Sequence, residues 1–269
     1  MRVAILPERI RLPTQPHVRR HSPQRGTRKE EWKVYMDCLR WDFGFTCLFC
    51  MLHESDLEEH GAREEGKLWV EHFITRSEDE SRADDYSNTF FSCHYCDRSR
   101  GDRYPAVDSQ GRKLLDPTLV AWSDHFEQVD NKLSFREGDA NAEYTWIAYK
   151  LDHPKKLQRR GWRRELITFS RSLLEMLPRR IAQLRRAARA AAKRGDAEKA
   201  RSKLQEMREA QENLATVATQ IKRFRATPLD APETCRCSDN ELLYLPSWLA
   251  GQVIELHVPD TGSERSTTR

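Results

Sequence analysis

The residues of this chain best suited to chemistry lie between Cys47 and Arg100. Cys47 and Cys50 form one C-x-x-C knuckle, and Cys93 and Cys96 form a second. Two such knuckles in one short segment supply four thiolates in a tetrahedral set with no open position, the ligand set of a structural zinc site. The competing reading is a group of buried free cysteines packed as small apolar side chains. Glu71 and His72 stand midway between the knuckles, and Asp97 directly follows the last cysteine. A hard divalent cation prefers oxygen ligands and keeps several waters. Two carboxylates, Glu71 and Asp97, plus a phosphate oxygen are therefore enough to hold Mg²⁺ or Mn²⁺. A histidine has its pKa near neutrality, so His72 can take a proton from water. A base, a cation and neighbouring positive charge are the parts that phosphodiester hydrolysis requires.

Those side chains need elements to position them. Residues 68–74 are rich in β-formers and read as a strand that ends at or just past His72. Residues 89–92 read as a second short strand. A helix is expected to begin near the second knuckle and run through Arg98 and Arg100 until Gly101 or Pro105 stops it. Residues 54–66 and 75–85 are polar and read as loops. Ahead of the first knuckle, residues 28–41 carry Trp32, Tyr35, Met36 and Leu39 at helical spacing, which predicts an amphipathic helix. Strand, loop, strand and helix would bring His72 and Asp97 to one corner.

At these residues the sequence resembles the HNH endonucleases, whose core is a ββα-metal fold. Cys47, Cys50, Cys93 and Cys96 match the two zinc knuckles of that family. His72 stands at the general base and Glu71 at the metal-binding acidic position, where Asp is commoner. Asn88 matches the middle asparagine, which braces the loop and the base. Asp97 stands where the family has Asn or His as a metal ligand, and Arg100 replaces a lysine. The match covers about residues 45–105. The resemblance implies an α+β fold with a structural Zn²⁺, a catalytic Mg²⁺ or Mn²⁺, and the catalytic set His72, Glu71, Asn88 and Asp97. It also implies a nucleic-acid substrate, with double-stranded DNA favoured, and a role in bacterial antiphage defence or restriction. Arg98, Arg100 and Arg103 would face the phosphates beside the cut. A solvated helix face is the plainer account of those three. Trp122, His125 and Phe126 are expected in the core of the following extension, which continues as a hairpin towards Tyr149. His125 lacks a paired carboxylate at a distinctive spacing.

The rest of the 269 residues is strongly charged, 33% against 38% hydrophobic, and a net charge of +4 conceals segregated acidic and basic stretches. Residues 1–27 hold four prolines and six arginines. They read as a basic arm with a short strand at 3–6, either following a phosphate backbone or docked on its own domain. Residues 28–150 form the nuclease domain with its extension. Residues 151–226 are predicted as a helical hairpin, started by Asp152 and Pro154, kinked or split at Pro178 and turned at Gly195-Asp196. Between Lys155 and Arg194 there are fourteen Lys/Arg and two acids. That face suits a polyanion, or a partner protein such as an ATPase subunit. Residues 227–269 are read as a C-terminal segment, apolar at 242–258 and disordered over the last ten residues, whose Cys235 and Cys237 could bind a metal as a pair but read first as two exposed thiols. Seven cysteines, no signal peptide and no membrane-length apolar run predict a reducing cytoplasmic setting and no membrane association. The alternative to an enzyme is a non-catalytic zinc module that binds nucleic acid or docks a partner through the hairpin.

Overall fold

The computed structural model of the protein describes residues 1–23, 34–57, 68–235, 237 and 242–259. In chain order its elements are β1 (Arg2–Ile5), α1 (Met36–Asp42), β2 (Leu68–His72), β3 (Thr89–Cys93), α2 (His94–Arg100), α3 (Trp122–His125), β4 (Phe126–Val129), β5 (Lys132–Phe135), α4 (Ala140–Tyr149), α5 (Pro154–Lys193), α6 (Ala197–Lys222), α7 (Ser247–Ala250) and β6 (Ile254–His257). The class is α+β. Among the described residues the strands form three antiparallel two-stranded ribbons, β1 with β6, β2 with β3, and β4 with β5. Among the described residues no helix is long and apolar enough to cross a membrane. Trp32, the loop over 58–66 and the last ten residues lie outside the described residues.

The chain divides into two compact units. One comprises Arg9–Arg163 and Ala226–Val253. Its centre is the β2–β3 ribbon, paired from Leu68 opposite Cys93 to His72 opposite Thr89. All five residues of β3 are buried. Phe43, Phe49, Phe90, Phe91, Trp122, Phe126 and Tyr149 fill the surrounding core, with the Phe49 and Tyr149 rings stacked at 3.8 Å. Aromatic side chains bury large areas and so dominate core energetics. The extension forms the β4–β5 hairpin as expected, but residues up to Tyr149 are helical. Asp139 caps α4 by accepting from the Ala142 amide at 2.8 Å, which commits the run that follows to helix. The Asp139 carboxylate also meets His125 Nδ1 at 2.6 Å, so this histidine does have a carboxylate partner, fourteen residues on.

The other unit comprises Met1–Glu8, Arg164–Arg225 and Ile254–Arg269. The short strand expected near the N-terminus is β1, and its partner is β6. The helical hairpin is α5 and α6, packed through Leu177, Ile181, Leu184, Ala210, Leu214 and Val217. Asp196 caps α6 through the Lys199 amide at 3.0 Å. Pro178 does not split the hairpin's first helix, because α5 runs unbroken through it. A proline inside a helix removes one backbone hydrogen bond. Leu177 and Ile181 beside it are core residues, and their packing holds the helix together.

The stretch of arm from Arg9 to Pro23 docks on its own unit. Arg19 lies over the rings of Phe43, Tyr86 and Phe90 at 4.8–5.1 Å, and its amino groups donate to the Ser87 and Thr89 carbonyls. Arg20 donates to the Trp41 carbonyl at 2.8 Å. The arm thus makes the docking contacts that the second reading expects. Arg25 lies outside the described residues.

The arm also buries His17 against Phe43 and Trp248, and neither ring nitrogen has a hydrogen-bond partner among the described residues. Burial, reinforced by Arg19, pushes its pKa from 6.5 down to about 3. The unfolded chain binds this proton below pH 6.5 and the folded chain does not, so the site favours folding fully above pH 6.5 and progressively less below it. His17→Leu removes that penalty together with a buried polar group. Between pH 7.5 and pH 5 the variant should lose about 2 kcal/mol less stability than the wild type, a difference that urea denaturation midpoints would read. Equal losses in the two proteins would refute the assignment.

Candidate functional site

Cys47 and Cys50 lie on a turn anchored to the ribbon. The Leu48 amide donates to the Phe91 carbonyl at 3.0 Å, and the Met51 amide to the Cys47 carbonyl at 3.0 Å. Phe45 and Met51 take up positive φ angles of 56° and 60° to make this tight geometry. Cys93 ends β3 and precedes α2, and Cys96 follows within the first turn. All four side chains are buried and their sulfurs lie within 4.8 Å of one another, with Cys50 and Cys93 at 3.5 Å. Zinc–sulfur bonds of about 2.3 Å place tetrahedral sulfurs about 3.8 Å apart. The cluster is thus close to the spacing that zinc imposes, and it can hold that ion. Burial pushes the Cys93 and Cys96 thiols well up. Cys50 is drawn well down against burial, by its neighbouring thiols and by Lys156. Four sulfurs this close cannot all ionise by themselves, and a divalent cation removes the conflict.

Lys156 belongs to this site. It is fully buried, its Nζ donating to Cys96 Sγ at 3.2 Å and to the carbonyls of Tyr149 and Lys150. Burial opposes its charge, but Cys96, Cys50 and Cys93 together raise its pKa. Three arginines follow at helical spacing. Arg159 donates to the Asp56 carbonyl at 2.8 Å, Arg160 to the Cys50 carbonyl at 2.7 Å, and Arg163 forms a buried ion pair with Asp56. Four cations in the first part of the basic run, Lys156, Arg159, Arg160 and Arg163, are therefore internal, whereas Lys155 is exposed. The arginines of its distal part, Arg179, Arg180, Arg185, Arg186 and Arg189, are exposed.

Beside the knuckles, a cavity of about 250 Å³ is lined by Glu71, His72, Arg76, Asp97 and Arg100, among others. His72 Nε2 meets the Ala83 carbonyl at 2.7 Å. Donation from Nε2–H leaves the lone pair on Nδ1. Burial and Arg76 hold the imidazole below its ordinary 6.5, although the Ala83 carbonyl opposes the shift. Asp97 sits in the first turn of α2, and burial raises its pKa against the pull of His94, Arg100 and His72. Glu71 is 5% exposed. Its Oε1 accepts from Tyr149 at 3.0 Å and faces Arg100 at 3.3 Å, while Oε2 has no hydrogen-bond partner among the described residues. Burial raises this carboxyl as well, opposed by Arg100.

Asn88 does not line the cavity. Its amide accepts from Ile74 N–H at 2.8 Å and donates to the carbonyls of Ile74 and Arg82, so it braces the loop that carries Ala83. Arg98 and Arg103 are exposed. Arg100, expected beside them, points inward instead and is 1% exposed. It lies one turn beyond Cys96, on the face of α2 that packs on the ribbon, and it donates to the carbonyls of His72, Phe73 and Tyr104. Gly101 ends the helix with φ of 47°.

Compared with protein-family models, curated proteins and solved structures, the chain finds no match. Three further features escape a reading of the sequence. Lys156 is one of fourteen cations in its run, and nothing in its spacing marks it. Tyr149 marks only the end of the expected hairpin in the sequence, yet its hydroxyl reaches Glu71. Cys235 and Cys237 are only half-exposed, and they meet Cys38 and His21 in a second close-set ligand group. Those four residues carry no local motif because three separate parts of the chain supply them.

Groups that contact metal ligands tune the affinity of a site about 10–100-fold. Lys156→Met keeps the length of the side chain and deletes the ammonium beside Cys96. Zinc affinity should fall within that range, as read by competition with a chromophoric chelator. An unchanged affinity would show that Lys156 serves packing alone.

Proposed function

We propose that the protein is a metal-dependent endonuclease of the HNH type, cutting phosphodiester bonds in nucleic acid, with DNA as the favoured substrate. One observation carries this reading: an oriented, neutral histidine, His72, shares a cavity with the carboxylates of Glu71 and Asp97 on a strand–strand–helix unit closed by four cysteines. Buried Glu71 Oε2 and the first-turn carboxylate of Asp97 are the oxygen donors suited to Mg²⁺ or Mn²⁺. Such a cation, when bound, supplies positive charge to phosphate oxygens. His72 Nδ1 takes a proton from water as the water oxygen attacks phosphorus. The bond to the 3′-oxygen breaks opposite, which leaves a 5′-phosphate and a 3′-alkoxide that takes a proton from solvent water to become the 3′-hydroxyl. Exposed Arg98 and Arg103 lie near enough in sequence to meet the flanking phosphates.

A second reading, the non-catalytic zinc module, draws on a different observation. Glu71 is already paired with Arg100 and Tyr149, and Glu71, His72 and Asp97 are not among the ligand groups that converge within 4.8 Å. Plasmid cleavage in Mg²⁺ or Mn²⁺ separates the two. A general base contributes about 10²–10⁴-fold to a rate. His72→Ala should therefore lose detectable cleavage while keeping wild-type zinc content and thermal stability. Cleavage at the wild-type rate, or inactivity through unfolding alone, would reject His72 as the base.

The distal face of α5 gives a further test. Reversing the charge of Arg179, Arg180, Arg185, Arg186 and Arg189 together should weaken DNA binding and flatten its salt dependence, since each phosphate contact adds to the slope of affinity against salt. Unchanged binding with loss of a co-purifying protein would make this face a docking surface.

A further inference from the structure

Cys38, Cys235, Cys237 and His21 have no part in the chemistry above. Each offers one ligand atom, and these atoms lie within 4.8 Å of one another. Cys38 Sγ is 3.8 Å from Cys237 Sγ. A disulfide would hold the sulfurs at about 2.0 Å. Two thiolates on one tetrahedral zinc lie about 3.8 Å apart.

His21 is built into this corner. Its backbone amide and that of Arg20 both donate to Asp42 Oδ1, at 3.1 and 2.8 Å. Tyr86 holds the other oxygen of Asp42 at 2.6 Å. Asp42 and Cys38 are four residues apart on α1 and share one face of it, so the carboxylate that grips the arm also sets His21 over Cys38. The His21 Nε2 lies 3.1 Å from the Leu242 carbonyl. Donation there leaves the lone pair on Nδ1, the usual arrangement for an imidazole bound to a metal through its other nitrogen.

We infer that His21, Cys38, Cys235 and Cys237 form a second structural zinc site. Three thiolates and one imidazole are a closed ligand set for zinc, with no oxygen donor to favour magnesium or calcium. The ion would join the arm, α1 and the segment Ala226–Val253, closing a loop of 199 residues between Cys38 and Cys237. Unlike the four buried cysteines of the first site, Cys235 and Cys237 are half-exposed. The second ion should therefore leave first.

Elemental analysis of the purified full chain should give about two zinc ions per chain, one for each closed ligand set. The double variant Cys235→Ser, Cys237→Ser should retain about one. Wild type with about one zinc, all of it kept by the double variant, would overturn the site while leaving the first site and the nuclease reading untouched. A second measurement uses the unmodified chain and so does not depend on the variant folding. Iodoacetamide labelling, mapped by mass spectrometry, should be slow at Cys235 and Cys237. It should become at least tenfold faster once 4-(2-pyridylazo)resorcinol has removed the more labile zinc. Equal labelling rates before and after chelation would also overturn the inference.

Discussion

Four sulfurs held in a space that excludes water must share a cation, or most of them must stay protonated. That constraint organises the chain around the knuckles. The turn bearing Cys47 and Cys50 is tied to β3 by the Leu48 amide, and Cys93 closes β3 where α2 begins. Asp97 and Arg100 lie one and four residues past Cys96, so whatever fixes that sulfur also fixes where these two side chains enter the cavity. A metal bound by the cysteines would act on the neighbouring site through the backbone, by setting the angle at which α2 leaves the ribbon. Lys156 extends the same logic outward. Four thiolates around Zn²⁺ carry excess negative charge, and a fully buried ammonium offsets part of it.

The cavity is governed by a second electrostatic balance. Glu71 and Arg100 are both nearly inaccessible, at 5% and 1% exposure. Breaking such a pair by removing one partner typically costs about 3–5 kcal/mol, because the remaining charge stays buried. Loss of activity on truncating Glu71 would therefore confound folding with chemistry. His72 is a cleaner probe. It is only partly buried, and its contact with Ala83 orients it without neutralising a buried charge. Arg100 and Tyr149 both contact Oε1 of the Glu71 carboxylate, and Oε2 is buried with no hydrogen-bond partner among the described residues.

What the sequence made legible was local. Knuckle cysteines three residues apart, the strands at 68–72 and 89–93, the helix ended by Gly101 and the hairpin turn at Gly195-Asp196 all follow from near-neighbour rules. The α+β class follows from them. What stayed hidden depends on residues far apart in the chain. Arg100 reads as a surface cation because three arginines surround the helix end, and only the packing of α2 on the ribbon turns it inward. Pro178 reads as a break because propensity counts the lost backbone bond and not the side chains beside it. The second ligand group was only half legible for the same reason: Cys235 and Cys237 read at most as a pair able to bind a metal, and the full set appears only when the fold brings Cys38 and His21 to them.

The basic run from Lys155 to Arg194 shows how composition can mislead about function. Its fourteen cations suggest one uniform face for a polyanion. Burial divides them. Lys156, Arg159, Arg160 and Arg163 spend their hydrogen bonds on carbonyls, on Asp56 and on Cys96, and neutralising any of them would disturb the knuckle region. Arg179, Arg180, Arg185, Arg186 and Arg189 are exposed. Only exposed cations can exchange condensed counterions for contacts with a nucleic-acid backbone. If α5 binds a polyanion, it does so through its distal half, while its first turns contact the cysteine cluster and Asp56.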